Sequence, residues 1–291
     1  MSRKTGIYLT LGLLVISALQ GFSQIAQIGG IINEYTPIVS IYSADANNVD
    51  TLAVGDASLF DVGDTVMVYC VKGATIGTAH DSTYLPGNNV YDPGMDAQNP
   101  RNTGKYAFFL VSEVIGDTVV LNASLNPEIL PMAIGEMAQL IRVRSYRYAN
   151  VTGTGLSAPS WNPATGTGGV ITLFVHGVLR LDADIDVSAD GFKGALGNTD
   201  AIYTAGCSST DTLNYYEPFY LNGELYAGLK GEGTTDTSFP YIRGKASNIN
   251  GGGGGNGLLA GGGGGSNYSA GVRGGSESTA CPPGVDITGG S

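Results

Sequence analysis

Leu173-Phe174-Val175-His176-Gly177-Val178-Leu179-Arg180-Leu181-Asp182-Ala183-Asp184-Ile185-Asp186-Val187 is the stretch on which the fold turns. Three aliphatic pairs run through it: Leu173 with Val175, Leu179 with Leu181, and Ile185 with Val187. The members of a pair stand two residues apart, which puts both side chains on one face of a short strand. Successive pairs begin six residues apart, leaving room for a corner between strands. Three such faces make one coil of a β-solenoid, with the inward pairs stacked on the next coil. The competing reading is one meandering sheet that bends at Gly177 and at Asp182-Ala183.

Upstream, residues 24–148 read as strands separated by turns. Pro37 to Tyr42 is a first strand, and Val62-Gly63-Asp64 turns into Thr65 to Val71, where Val66, Val68 and Cys70 share a face. Lys105 to Val114 and Thr118 to Leu121 flank a hairpin turn at Gly116-Asp117. Ala138 to Tyr146 is another strand, in which Leu140 is out of phase with Ile141 and Val143. Residues 73–104 carry Gly, Asn, Asp and Pro without periodicity and read as a long surface loop. No stretch has a helical period. This half is expected to be a small antiparallel barrel or sandwich.

Downstream, the glycine runs Gly251 to Gly255 and Gly261 to Gly265 repeat at a spacing of ten. They read either as a flexible linker or as extended glycine segments packed backbone to backbone, since no Cβ intervenes. The fold class expected is all-β: a small antiparallel β-barrel or sandwich, then a β-solenoid or β-helix-like region with a glycine-rich segment. The expected division is a signal peptide over 1–23, the antiparallel β domain over 24–148, the solenoid-like region over 149–246 and the glycine-rich segment over 247–291. The glycine texture still runs at Ser291, so the chain is expected to be the front of a longer protein.

Composition narrows the function. The chain has 291 residues with 46 Gly, about twice the usual share of roughly 7%, and 13% charged residues, about half the usual share. A hydrophobic content of 42% suffices for a core, which excludes a solvated disordered chain. The net charge of -11 argues against nucleic acid and anionic membranes as partners. Ser2-Arg3-Lys4, the apolar run from Ile7 to Ala18 and the small residues Gly21 and Ser23 read as a secretory signal cut after Ser23. Nothing else is long and apolar enough to span a bilayer, so the mature chain is expected to have no membrane span.

Little chemistry is visible. His80 and His176 are the two histidines, and no serine stands in a G-x-S-x-G context. No phosphate loop and no zinc spacing occurs. Asp182, Asp184, Asp186 and Asp190 form the one acidic cluster. Alternation puts the first three on the outward face, where calcium would relieve their repulsion, or where they simply face solvent. No other cofactor is expected. A β-helix could also carry a polysaccharide lyase or hydrolase, which needs bases on several stacked coils. Tyr215, Tyr216, Phe219, Tyr220 and Tyr226 form an aromatic patch able to contact glycans or to pack on the fold. Cys70 reads as a small core residue, while Cys207 and Cys281 lie in loops and are the better disulfide pair.

One ordered set of motifs spans nearly the whole mature chain. It runs through Ile31-Ile32-Asn33-Glu34-Tyr35-Thr36-Pro37, Phe60-Asp61-Val62-Gly63-Asp64-Thr65-Val66, Gly104-Lys105-Tyr106, Gln139-Leu140-Ile141-Arg142-Val143 and Ser160-Trp161-Asn162. It continues through Gly168-Gly169-Val170, Asp184 to Gly194, Lys230-Gly231-Glu232-Gly233 and the glycine runs. In this order they resemble the N-terminal region of large secreted surface proteins of Bacteroidota, which often end in a gliding-motility-associated C-terminal domain and leave by type IX secretion. The resemblance implies a cell-surface, adhesin-like role with no assigned catalytic residues, in which the partners are an extracellular surface or glycan and the rest of the polypeptide. It also implies O-glycosylation signals, which Asp50-Thr51-Leu52, Asp81-Ser82-Thr83 and Asp211-Thr212-Leu213 are similar to.

Overall fold

The computed structural model describes residues 25–42, 50–74, 101–125, 137–196, 220–221, 224–225, 228–235, 249–254 and 262–265. Twelve strands follow in chain order: β1 (Ala26–Gly30), β2 (Tyr35–Tyr42), β3 (Thr51–Val54), β4 (Thr65–Lys72), β5 (Tyr106–Ile115), β6 (Thr118–Leu121), β7 (Met137–Tyr146), β8 (Ala149–Leu156), β9 (Leu173–Val175), β10 (Leu179–Leu181), β11 (Tyr220–Leu221) and β12 (Glu224–Leu225). One 3-10 turn, Ala57–Leu59, interrupts them. The fold is all-β.

β2, β3, β6, β5, β4 and β7 pair antiparallel in that order, and β7 pairs with β2 again. The sheet therefore closes on itself as a six-stranded barrel rather than opening as a sandwich, and leaves no edge among these strands. Its interior is built by alternation: Val66, Val68 and Cys70 from β4 meet Leu52, Val111, Val119, Leu121 and Leu140 in one buried cluster. The Gly116-Asp117 turn joins β5 to β6, with Gly116 at φ +55, a left-handed conformation that favours glycine.

The second unit is a parallel stack. β8 lies between β1 and β10, parallel to both. Ile28, Val151 and Leu181 stand in register, as do Ala26, Ala149 and Leu179. Arg144 pairs with Leu173, Ala149 with Leu179, and Leu156 with Ile185, so the layers repeat after 29 or 30 residues. These parallel pairings exclude the meandering sheet. They also lengthen the coil read from the sequence, because the chain between Leu156 and Leu173 does not turn at once. It crosses the outside of the barrel, where Val170 and Phe174 pack on Met67, Ile141 and Val143.

The stack also departs from the sequence reading in burial. Leu173 and Val175 pack against the stack core of Ile28, Ala149, Val151 and Leu156. Leu179, Leu181 and Ile185, in register with Ala149, Val151 and Leu156, share its direction but remain exposed, as does Val187. At the close corner, Gly155 sits at φ +79, and a Cβ there would run into the carbonyl oxygen of Asp184.

β7 joins the two units. Ala138 and Leu140 face the barrel interior, Ile141 and Val143 face the crossing segment, and Arg144 to Tyr146 extend into the stack beside β9. The crossing segment is fixed by buried amides. Asn33 donates to the carbonyls of Arg142 and Thr172 at 2.8 and 2.6 Å and accepts from the Thr172 N–H at 3.1 Å. Gln139, wholly buried, makes reciprocal bonds to the Gly168 backbone at 3.1 and 2.9 Å. Each satisfied amide replaces solvent for a backbone that would otherwise be buried unpaired.

Glycine segments pack without side chains between them. The Gly231 N–H donates to the Gly252 carbonyl at 2.7 Å, and the Gly263 N–H to the Gly253 carbonyl at 2.8 Å. These backbones are stacked, as the second reading of the glycine runs expected, for 228–233, 251–254 and 262–265.

Candidate functional site

Glu232 accepts three hydrogen bonds from three separate segments of the chain. It lies in the Lys230-Gly231-Glu232-Gly233 strand of the glycine stack. Its Oε1 accepts from the Lys72 ammonium at the end of β4 and from Trp161 Nε1 at 2.7 Å. Its Oε2 accepts from the Lys193 N–H at 2.9 Å, and its own N–H donates to the Lys193 carbonyl at 2.9 Å. Trp161 packs edge-on against Phe192 with ring centroids 5.4 Å apart, and the Lys72 ammonium stands 5.8 and 5.3 Å from the two ring centres. Barrel, crossing segment, post-stack segment and glycine stack thus meet at one carboxylate. Burial pushes the Glu232 carboxyl up, but the bonds from Lys72, the Lys193 N–H and Trp161 outweigh it and hold it below the usual carboxylate value. The arrangement is a clasp whose polar groups are satisfied from within.

Lys230, two residues away, is also buried, and desolvation lowers its pKa to about 8 from 10.5. Below pH 8 it is charged both folded and unfolded, and the fold bears the cost of burying that charge. As the pH rises from 8 towards 10.5, the unfolded chain binds more protons than the folded one, so stability should increase. Lys230→Met is expected to raise neutral-pH stability by up to about 3 kcal/mol and to abolish that alkaline rise, as thermal melts between pH 7 and 10 would read.

Members of the acidic cluster are drawn into bonds with their own neighbours. Asp182 accepts from Asn150 Nδ2 at 2.9 Å and from Arg180 Nε at 2.7 Å, and these two bonds in that order hold its pKa down. Asp186 accepts from the Ser188 N–H at 2.8 Å, and the bonds from Ser188 hold its pKa down. The backbone oxygen of Asp184 accepts from the Leu156 N–H at 2.9 Å, across the stack. Among the described residues no three His, Cys, Asp or Glu side chains converge as a cation site requires. Asp190 instead accepts from the Ser160 hydroxyl at 2.7 Å.

His176 is exposed, with Nε2 2.9 Å from the Ser145 hydroxyl. His80, Cys207, Cys281, Tyr215, Tyr216, Phe219 and Tyr226, with the signal segment, lie outside the described residues; Tyr220 is described only as backbone of β11. Cys70 is buried in the barrel interior, as its strand position indicated.

A different aromatic group comes together on the barrel's outer face. Tyr106 and Phe108 point outward from β5 and are 59% and 40% exposed. Their rings meet edge to face at 5.8 Å, and Phe108 packs on Phe174 of β9 at 4.8 Å and 56°. Leu110 continues the row on the same strand. The signal in the sequence is Tyr106-Ala107-Phe108-Phe109-Leu110-Val111, apolar on both faces. A barrel strand needs only its inner face apolar, so this row leaves apolar side chains on the outer face beyond what the core requires. No helix among the described residues is long and apolar enough to cross a membrane.

No protein-family model and no curated protein matches this sequence. Among solved structures, the chain is similar to the Gp54 tailspike of Acinetobacter baumannii bacteriophage AP22, in complex with A. baumannii capsular saccharide. Sequence identity is 17%, over 53% of this chain and 22% of that chain, with a TM-score of 0.21. A likeness this slight assigns the chain neither a family nor a ligand, and its reading rests on its own residues.

Proposed function

We propose that this chain is a secreted cell-surface structural and adhesin-like module, non-catalytic and part of a longer surface protein. In this reading it is exported by a signal cut after Ser23 and belongs with the Bacteroidota gliding-motility-associated, type IX-secreted proteins that its motifs resemble. β7 is the observation that carries it. One strand, buried on both faces, is hydrogen-bonded into the barrel and the stack at once, which lets load pass between them without a hinge. Tyr106, Phe108 and Phe174 supply a contact surface suited to the apolar face of a sugar ring.

A glycan array on the folded chain tests the contact. Tyr106→Ala, at the more exposed of the two β5 rings, is expected to lower retention on a bound glycan by about tenfold or more with a nearly unchanged melt, the equivalent of about 1.4 kcal/mol. Calcium added during a thermal melt separates this reading from a cation-binding module. The competing reading, a carbohydrate-active enzyme, predicts polysaccharide turnover that His176→Ala abolishes, and that result would overturn the proposal.

A further inference from the structure

The pairings of the stack set its step. Arg144 beside Leu173, Ala149 beside Leu179 and Leu156 beside Ile185 are 29 or 30 residues apart. In three places the residue after the later member of a pair donates its N–H to the carbonyl of the earlier one: His176 to Tyr146, Asp182 to Val151 and Asp186 to Leu156. Glu232 does the same to Lys193, which puts Gly231 beside Lys193, a step of 38. The excess has a place. β11 and β12 pair antiparallel, Tyr220 with Leu225 and Leu221 with Glu224, about Asn222-Gly223. A hairpin this tight brings the chain back to where it left, so it adds residues to a parallel coil without advancing it. Setting aside the ten residues Pro218 to Ala227 leaves a step of 28.

At that step Leu173, Val175, Leu179, Leu181, Ile185 and Val187 meet Ala201, Tyr203, Cys207, Ser209, Leu213 and Tyr215. The spacing is the same, two within a pair and six between pairs, and Ser209 alone is small and polar. A step of 29 would instead turn Ser208, Thr210 and Asn214 inward, and a step of 30 would bury the carboxylates of Asp211 and Glu217. Leu179, Leu181 and Ile185 point the way of the buried Ala149, Val151 and Leu156 yet are exposed, so this layer has apolar surface still to bury. We infer that residues 201–215 of this same chain are its cover, with Cys207 on Leu179 and Leu213 on Ile185. The β11–β12 hairpin then leaves the coil at the corner that follows. Cys207 becomes a core thiol rather than half of a disulfide with Cys281.

Disulfide trapping in the full chain tests this. Every variant carries Cys281→Ser, and Cys70 stays buried in the barrel. Neighbouring strands lie about 4.8 Å apart, within the span a disulfide bridges. Leu179→Cys, with diamide as the oxidant, is expected to link to Cys207. Arg180→Cys, one residue along and on the opposite face, should link roughly tenfold less. In a Cys207→Ser background, Ile185→Cys with Leu213→Cys should link, and Ile185→Cys with Asn214→Cys should not. This second pair decides the matter should Leu179→Cys not fold. Peptide masses read the links, thermal melts the fold, and urea-unfolded samples the background. Links that ignore the face, or folded variants that link no more than the unfolded background, would refute the inference. So would a Cys207–Cys281 disulfide in the folded wild type.

Discussion

Replacing Glu232 with alanine is expected to destabilise the fold by about 3–5 kcal/mol, because it leaves the buried Lys72 ammonium without its counter-ion. The same change strips the acceptor from the Trp161 indole and from the Lys193 N–H. The loss should be local as well as global. Residues 228–235 and the glycine segments on them are held to the barrel mainly here, aided by the Gly73 N–H bond to the Thr234 carbonyl at 3.0 Å. Hydrogen exchange should therefore speed up at Gly231 and Gly263 before it does in β4 or β7. Glu232→Gln keeps the shape and an acceptor but loses the charge, and should fall between alanine and the wild type. The pH dependence has a definite sign. A lowered carboxyl contributes stability above its unfolded value of 4.5, and that stability is lost as the pH falls through the lower folded value. The acid slope should be shallower in Glu232→Gln. A wild-type clasp no more acid-sensitive than that variant would refute the assignment.

Gly252→Ala is the second large effect. In an exposed, unstrained position, Gly→Ala stabilises by about 0.4–1 kcal/mol through the unfolded chain. Here the added Cβ would collide with the carbonyl of Gly263, a backbone group that cannot swing aside as a side chain can. Overpacking of this kind costs about 1–3 kcal/mol, occasionally more. The net result should be destabilisation with lost exchange protection at Gly231 and Gly263, whose N–H groups donate to Gly252 and Gly253. Gly262→Ala is the matched control: its nearest neighbour would stand 3.0 Å away, and the next 3.9 Å. If both variants melt alike, the close packing of the glycine runs is wrong. A linker would tolerate both changes.

Clasp and glycine stack together explain how the described glycine segments, 228–233, 251–254 and 262–265, are held in place. Side-chain volume is absent from the glycine runs, so apolar burial contributes little there. Backbone hydrogen bonds at close approach and one buried ion pair take its place. That is also why a single carboxylate there matters more than most leucines on the surface of the stack.

Several features were legible from the residues alone. The alternation in Thr65 to Val71 fixed a strand with Val66, Val68 and Cys70 inward, because period two has only two faces. Gly116-Asp117 marked its hairpin, because few other residues tolerate that turn. The apolar pairs of Leu173 to Leu181 marked successive faces of one coil of a parallel stack, although not the length of the coil. The candidate contacts were not legible. Phe108 and Phe174 stand 66 residues apart in sequence, and Lys72 and Glu232 160 apart. No local pattern encodes such meetings.

The sequence by itself determined the local states of this protein: which residues alternate, where the chain turns and where glycine leaves room for backbone to touch backbone. These follow from sterics over a few residues. Only the tertiary structure decided that the antiparallel strands close into a barrel, that β1 joins a stack with β8 across 123 residues, and that Glu232 meets Lys72 and Trp161 at one place. The reason is that strand pairing is directed along the hydrogen bonds, perpendicular to the chain. A strand specifies the faces it offers, while the neighbour it accepts is set by how every other segment has been covered.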